Sequence, residues 1–266
     1  MNSQQTTPFV SQTKMKVIAL LALCFAAVAA LPAERIAGGA LVPIQNYPSA
    51  VALLYTQNWF NYLQACGGTI LNNRSILTSG GCAKNDPANR WRARIGSSWG
   101  NSGGTIYVFE RLIVHPNFDL DSMVNDVAIM RTANAIAFSN VANVASIAGP
   151  NYNVGDNQPL IAIGWGQTLW GGSEQLRQVQ VNTINHSTCA SRYMNNMGIT
   201  VNNNMFCSGW LDQGGRDTCR GDEGGPIFHN NVVYGIFSFN NVCGSPFFPS
   251  VNTRVPAYTS WIQANA

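Results

Sequence analysis

Asp217-Thr218-Cys219-Arg220-Gly221-Asp222-Glu223-Gly224-Gly225-Pro226 is the stretch that decides how this chain is read. It sets three acids among three glycines beside a cysteine. Taken alone, such a loop is a turn, because glycine-rich segments commonly punctuate the chain between elements. Its surroundings give it weight. Short β-branched or aromatic runs recur at 49–55, 68–77, 92–95, 106–114, 127–130, 160–165, 179–184, 232–239 and 250–255, with Gly, Asn and Pro between them. Many short strands in a chain with 25 glycines predict an all-β sandwich or barrel. The charge-poor stretch 133–157 reads as a long connection between two β halves. Tyr258, Trp261 and Ile262 fall at helical spacing, which predicts a short closing helix within 257–266.

The bulk numbers narrow the classes. The chain has 266 residues, 46% of them hydrophobic, enough for a sizeable core. Lys14 and Lys16 precede an uncharged apolar run from Val17 to Ala30 that ends in small residues. That run is short for a membrane span and predicts a secretory signal peptide over 1–30. The polar residues before Met15 fit either an extended leader or an unused upstream start. The net charge of +3 drops to +1 once Lys14, Lys16, Glu34 and Arg35 are set aside. A near-neutral chain without basic clusters argues against nucleic acid or an anionic membrane as partner.

Seven cysteines become six when Cys24 leaves with the leader: Cys66, Cys82, Cys189, Cys207, Cys219 and Cys243. An even set in an exported chain predicts three disulfides, and spacing alone leaves the pairing open. Asn73-Arg74-Ser75 and Asn185-His186-Ser187 are glycosylation sequons, weak signals that fit export.

The loop at 217–226 resembles the GDSGGP nucleophile loop of chymotrypsin-like serine proteases, with Glu223 at the serine position. Other segments follow in the family's order. Arg35-Ile36-Ala37-Gly38-Gly39 is similar to its activation junction. Cys66-Gly67-Gly68-Thr69 with Leu77-Thr78-Ser79-Gly80-Gly81-Cys82 is similar to CGG…TAAHC, and Asn125–Met130 to the strand that carries the triad aspartate. Gly164-Trp165-Gly166 and Val251–Val255 match as well. The resemblance runs from Ile36 to the C-terminus, with insect digestive trypsin-like proteins as nearest kin. It implies two packed six-stranded β-barrels over 36–266, joined near 133–157, after a propeptide at 31–35. It also implies the pairings Cys66–Cys82, Cys189–Cys207 and Cys219–Cys243.

The departures carry the functional expectation. This chemistry needs a hydroxyl nucleophile, an imidazole to take its proton and a buried carboxylate to orient the imidazole. Gly81 replaces the histidine, Glu223 replaces the serine, and Asp126 alone remains. Gly221 and Glu223 form what is left of the oxyanion loop. His115, His186 and His229 fall outside the matching segments. The expectation is therefore a secreted non-catalytic homologue, a pseudoenzyme acting through a protein partner: an activating protease, an inhibitor or an active relative. Two alternatives stand beside it. One is an enzyme with a replaced mechanism, in which Asp126 and Glu223 form a carboxylate dyad. The other is a storage or structural protein.

The pocket and the switch complete the set. Asp217 matches the acid at the base of a trypsin pocket, while Asn240, Val242 and Ser250 stand at wall positions where glycines would admit a long side chain. They are expected to narrow the pocket and neutralise the acid. Arg35, Ile36 and Asp222 match the activation pair, in which cleavage frees an amino terminus that folds onto the aspartate. No metal or cofactor is expected, no nucleic acid or membrane partner, and the chain is expected to be a monomer.

Overall fold

The computed structural model describes residues 37–168, 171–172 and 174–266. The expected leader, the propeptide and the Arg35–Ile36 junction lie outside the described residues.

The short strand β1 (Ala40–Leu41) leads into the first barrel. Its strands are β2 (Ala50–Tyr55), β3 (Leu63–Ile70), β4 (Ser75–Thr78), β5 (Trp91–Ile95), β6 (Thr105–Val114) and β7 (Ala128–Thr132). They close in the order β2-β3-β4-β7-β6-β5. The run read as one strand at 68–77 is two strands, because Asn72 turns the chain by accepting the Arg74 N–H at 2.8 Å. The alternation in β5 puts Trp91, Ala93 and Ile95 inside and the two arginines at the rim.

After β8 (Ser146–Ile147), the second barrel begins at β9 (Pro159–Gly164), followed by the hairpin β10 (Gln167–Thr168) and β11 (Gly171–Gly172). It continues through β12 (Arg177–Ile184), β13 (Met205–Gly209), β14 (Pro226–His229), β15 (Val232–Phe239) and β16 (Ser250–Arg254). The ring β9-β12-β13-β16-β15-β14 closes on itself, with β1 added to β12 and β8 to β15. The fold is thus two closed six-stranded antiparallel barrels, as the sequence predicts.

Among the described residues two α-helices complete it. The closing helix is α2 (Thr259–Asn265). The longer α1 (His186–Met197) is an addition that the apolar pattern hides, since only Cys189 and Tyr193 of its residues are buried. Its ends explain it: Asn185 Oδ1 accepts the Thr188 N–H at the start, and Gly198 takes the left-handed conformation at the end. Disulfides join Cys66 to Cys82, Cys189 to Cys207 and Cys219 to Cys243.

The barrels meet along a shared core in which Leu77 and Ile129 of the first pack with Ile163, Ile227 and Phe237 of the second. At this seam a Cβ on Gly67 would lie 2.7 Å from the Gly225 Cα, so only glycine permits the approach of β3. The Gly67 N–H then donates to the Glu223 carbonyl at 2.7 Å. This backbone bond ties the 217–226 loop to the first barrel.

Candidate active site

Asp126 sits just ahead of β7 and is 1% exposed. Its Oδ1 accepts the Gly81 N–H at 2.7 Å and its Oδ2 accepts the Ser238 hydroxyl at 2.5 Å. Burial nevertheless outweighs these donors and pushes the carboxyl up to about 6. Ser238 lies at the end of β15, and sequence reasoning missed its role. The signal was a hydroxyl within the strand's buried run, where a polar group needs a partner.

Gly81 is exposed, and a Cβ there would lie 3.6 Å from Asp126 Oδ1 and 3.3 Å from the flexible end of Met123. A side chain at 81 would therefore start beside the carboxyl. Glycine leaves only its N–H in that place.

Glu223 turns its carboxylate back on its own loop. Oε2 accepts the Gly221 N–H at 2.5 Å, and the Glu223 N–H also bonds the carboxylate. These two amides are the oxyanion donors that the resemblance implies, and the side chain occupies them. Burial raises the Glu223 pKa, and the Asp126 charge raises it further, while bonds from its own and Gly221's N–H and the nearby Arg220 charge lower it. Glu223 thus lies within reach of the Asp126 charge. A second missed residue is Gln64, whose Nε2 donates to the Gly221 carbonyl at 2.6 Å and holds that peptide in place. Its own N–H donates to Asn101 Oδ1 at 2.8 Å.

Asp217, the acid that the resemblance assigns to a pocket base, is 2% exposed and bonded through both oxygens. Oδ1 accepts from the Thr218 N–H and the Ser250 hydroxyl, and Oδ2 from the Gly244 N–H. Asn240 reaches across and donates to the Thr218 carbonyl at 2.7 Å and to Ser250 Oγ at 3.2 Å. Burial pushes the Asp217 carboxyl up to about 7. Val242 stands apart, 59% exposed.

Asp222 is enclosed by Gly164 and Gly166, where any Cβ would collide with its carboxyl. It accepts the Gly166 N–H at 2.7 Å and the Cys219 N–H at 3.0 Å. Burial lifts it to about 7, and the Glu223 and Asp217 charges add to the rise. No ion pair reaches it among the described residues. Ala37, one residue beyond the expected junction, is fully buried, and its carbonyl accepts the Asp217 N–H.

The three histidines are employed elsewhere. His115 packs on Tyr258 and Trp261, His229 pairs with the Tyr152 hydroxyl, and His186 opens α1.

Comparison with known proteins agrees with this architecture. The family model for trypsin matches residues 36–262. Trypsin CFT-1 of Choristoneura fumiferana is 54% identical over 253 residues, covering 94% of this chain and 98% of the relative. Trypsin, alkaline C of Manduca sexta is 55% identical with the same coverage. Achelase-1 of Lonomia achelous is 46% identical over 237 residues, covering 87% of this chain and all of the relative. These relatives correct the expectation of a non-catalytic chain. Proteins this similar along nearly their whole length are named trypsins, which points to a catalytic protease. The expectation set the loss of two side chains above the replaced mechanism, which it named only as an alternative. In the structure burial pushes Asp126 up to about 6 and raises Glu223 as well.

Proposed function

Because this chain belongs to the trypsin family of serine proteases, we propose that it is a peptidase that cuts protein substrates with its carboxyl pair. Glu223 and Asp126 do the work that a hydroxyl and an imidazole would otherwise share. The observation that carries this reading is the pair itself: a buried Asp126 and a half-buried Glu223, each raised by desolvation, with the Asp126 charge felt by Glu223.

In this scheme one carboxyl of the pair carries a proton and the other is ionised. The Glu223 carboxylate swings off the Gly221 N–H, and the substrate's carbonyl oxygen takes that donor. Glu223 removes a proton from a water as the water oxygen bonds the carbonyl carbon. The carbon–nitrogen bond then breaks, and the leaving nitrogen takes a proton from the pair. No covalent intermediate forms. Turnover is expected far below that of a serine–histidine pair, whose loss costs on the order of 10⁶ in a protease built on it. With Asp217 bonded to Ser250 and Asn240 across the pocket, the favoured residue before the scissile bond is small and uncharged. The leaving side lies in a 580 Å³ cleft beside Gly221, lined by Gln64, Trp165, Glu174 and Arg220.

Export and activation belong to the same reading. Residues 1–30 direct secretion, 31–35 are removed, and the freed Ile36 amino group pairs with Asp222. The buried carboxyl of Asp222, which has no ion pair among the described residues, supports this, because a buried acid without a counter-charge is costly. Among the described residues no helix is long and apolar enough to cross a membrane.

The test is casein hydrolysis by the processed chain, with the processing enzyme removed. Slow cleavage is expected, abolished in Glu223→Gln with the fold retained by circular dichroism. A processed chain that cuts nothing, or one whose cutting survives Glu223→Gln, overturns the proposal.

A further inference from the structure

The chain holds two glycosylation sequons, and the folded structure treats them in opposite ways. At 185–187 both polar side chains have folded-state duties. Asn185 Oδ1 caps α1 by accepting the Thr188 N–H at 3.1 Å, and Nδ2 donates to Asp156 Oδ2 at 2.7 Å. The Ser187 hydroxyl donates to Asn185 Oδ1 at 2.7 Å. The motif there is accounted for by the helix start it builds.

At 73–75 neither side chain has such a duty. Asn73 is exposed on the turn between β3 and β4, and only its carbonyl is used, accepting the Ile136 N–H. Among the described residues its amide has no hydrogen bond. The side chain between the two sequon positions is folded down: Arg74 donates to the Thr132 and Ala133 carbonyls and to Glu110. Ser75 is fully buried in β4, and its hydroxyl has no partner. A buried hydroxyl without a partner costs folding free energy, so the folded state gives no reason for serine over alanine here. The hydroxyl is useful earlier. Sugar transfer to asparagine reads Asn-X-Ser on a chain that has not yet folded, and there Ser75 is within reach of the transferase.

We propose that Asn73 carries an N-linked glycan and that Asn185 does not. The sugar leaves from the exposed β3–β4 turn, where no packing has to yield. At Asn185 a sugar attached before folding would stand in the way of the amide's bond to Asp156 and of the helix start it builds, so folding selects the chains without it. The proposal rests on the export reading above, since only an exported chain meets the transferase.

The test is expression of the full chain in a secreting eukaryotic cell line, followed by endoglycosidase treatment and peptide mass spectrometry. One mobility shift is expected, mapped to Asn73. It is lost in Asn73→Gln and in Ser75→Ala, and kept in Ser75→Thr and Asn185→Gln. Enzymatically stripped parent and Ser75→Ala should melt together, or the variant higher. Asn73→Gln is exposed and idle, so its folding is not in question. A chain recovered from the medium without sugar, or with a shift that survives Asn73→Gln, overturns the proposal while leaving export intact. A chain retained in the cytosol with its leader uncut overturns both.

Discussion

The Ser250 hydroxyl donates to Asp217 Oδ1 at 2.6 Å, so a side chain of β16 takes up the buried acid that the resemblance assigns to a pocket base. Two backbone N–H groups complete the carboxyl's shell, and Asn240 spans from Thr218 to Ser250 above it. An incoming guanidinium would find every acceptor taken and the approach blocked.

Opening that base should restore a cation site. Ser250→Gly with Asn240→Gly is expected to bind benzamidine at least about tenfold more tightly than the parent, the lower end of a charged hydrogen bond's worth of about 1.5–3 kcal/mol. Titration calorimetry decides. Equal affinity in parent and double variant would show that the pocket was never closed.

The uncleaved chain should lose stability as pH rises. Burial lifts Asp126 to about 6 and both Asp217 and Asp222 to about 7, from an ordinary value of 3.8. Between 3.8 and these values the folded state binds more protons than the unfolded one. Their contribution is therefore fully present below pH 3.8 and is lost as pH climbs through 6 to 7. A fall in melting temperature of several degrees is expected, at about 2–4 °C per kcal/mol for a domain of this size. Cleavage at Arg35 gives Asp222 a cationic partner, so the processed form should fall less steeply. Thermal melts from pH 4 to 8 check both slopes. Parallel curves would falsify the pairing of Ile36 with Asp222.

Ser238→Ala removes a charge-assisted bond to Asp126 and leaves the carboxyl more isolated. A loss of about 1.5–3 kcal/mol in urea unfolding is expected above pH 6. The loss should shrink at pH 4, where Asp126 is protonated in both proteins. A loss that does not change with pH would mean that the hydroxyl matters only for packing.

Gln64→Ala frees the Gly221 carbonyl without touching either carboxyl. Stability should fall by only about 0.5–1.5 kcal/mol. The pH midpoint of casein hydrolysis should move, because the Gly221 N–H is then held less firmly against Glu223. An unchanged pH profile would remove Gln64 from the site.

Gly81→His together with Glu223→Ser should restore a burst of p-nitrophenol from p-nitrophenyl acetate, and neither change alone should. Position 81 has room, since Met123 can yield at its flexible end. A burst in either single variant would mean that the two positions do not act as a unit.

The all-β class was legible in the sequence because short β-branched runs alternate with Gly, Asn and Pro turns, while the two barrels were implied by the family resemblance. Val232–Phe239 was read to the residue. The helix at 186–197 escaped because it buries one narrow stripe, and its ends are set by Asn185 and Gly198 rather than by periodicity. At the site, the identities of Gly81, Asp126 and Glu223 could be read in one dimension. The direction of the Glu223 carboxylate could not, nor could the clamp that Gln64 puts on a peptide 157 residues away. Those relations exist only once the barrels close. The sequence reading therefore counted the lost groups and could not weigh what burial does to the remaining ones.

With its carboxylate on the Gly221 and Glu223 amides, the loop presents no oxygen nucleophile to an electrophile. Fluorophosphonate tags, peptidyl boronates and chloromethyl ketones all depend on a hydroxyl or an imidazole where this chain has Glu223 and Gly81. A survey that counts proteases by such labels would pass over it, even in a fluid where it is abundant. Detecting its work calls for following cleaved substrate ends instead of tagged enzyme.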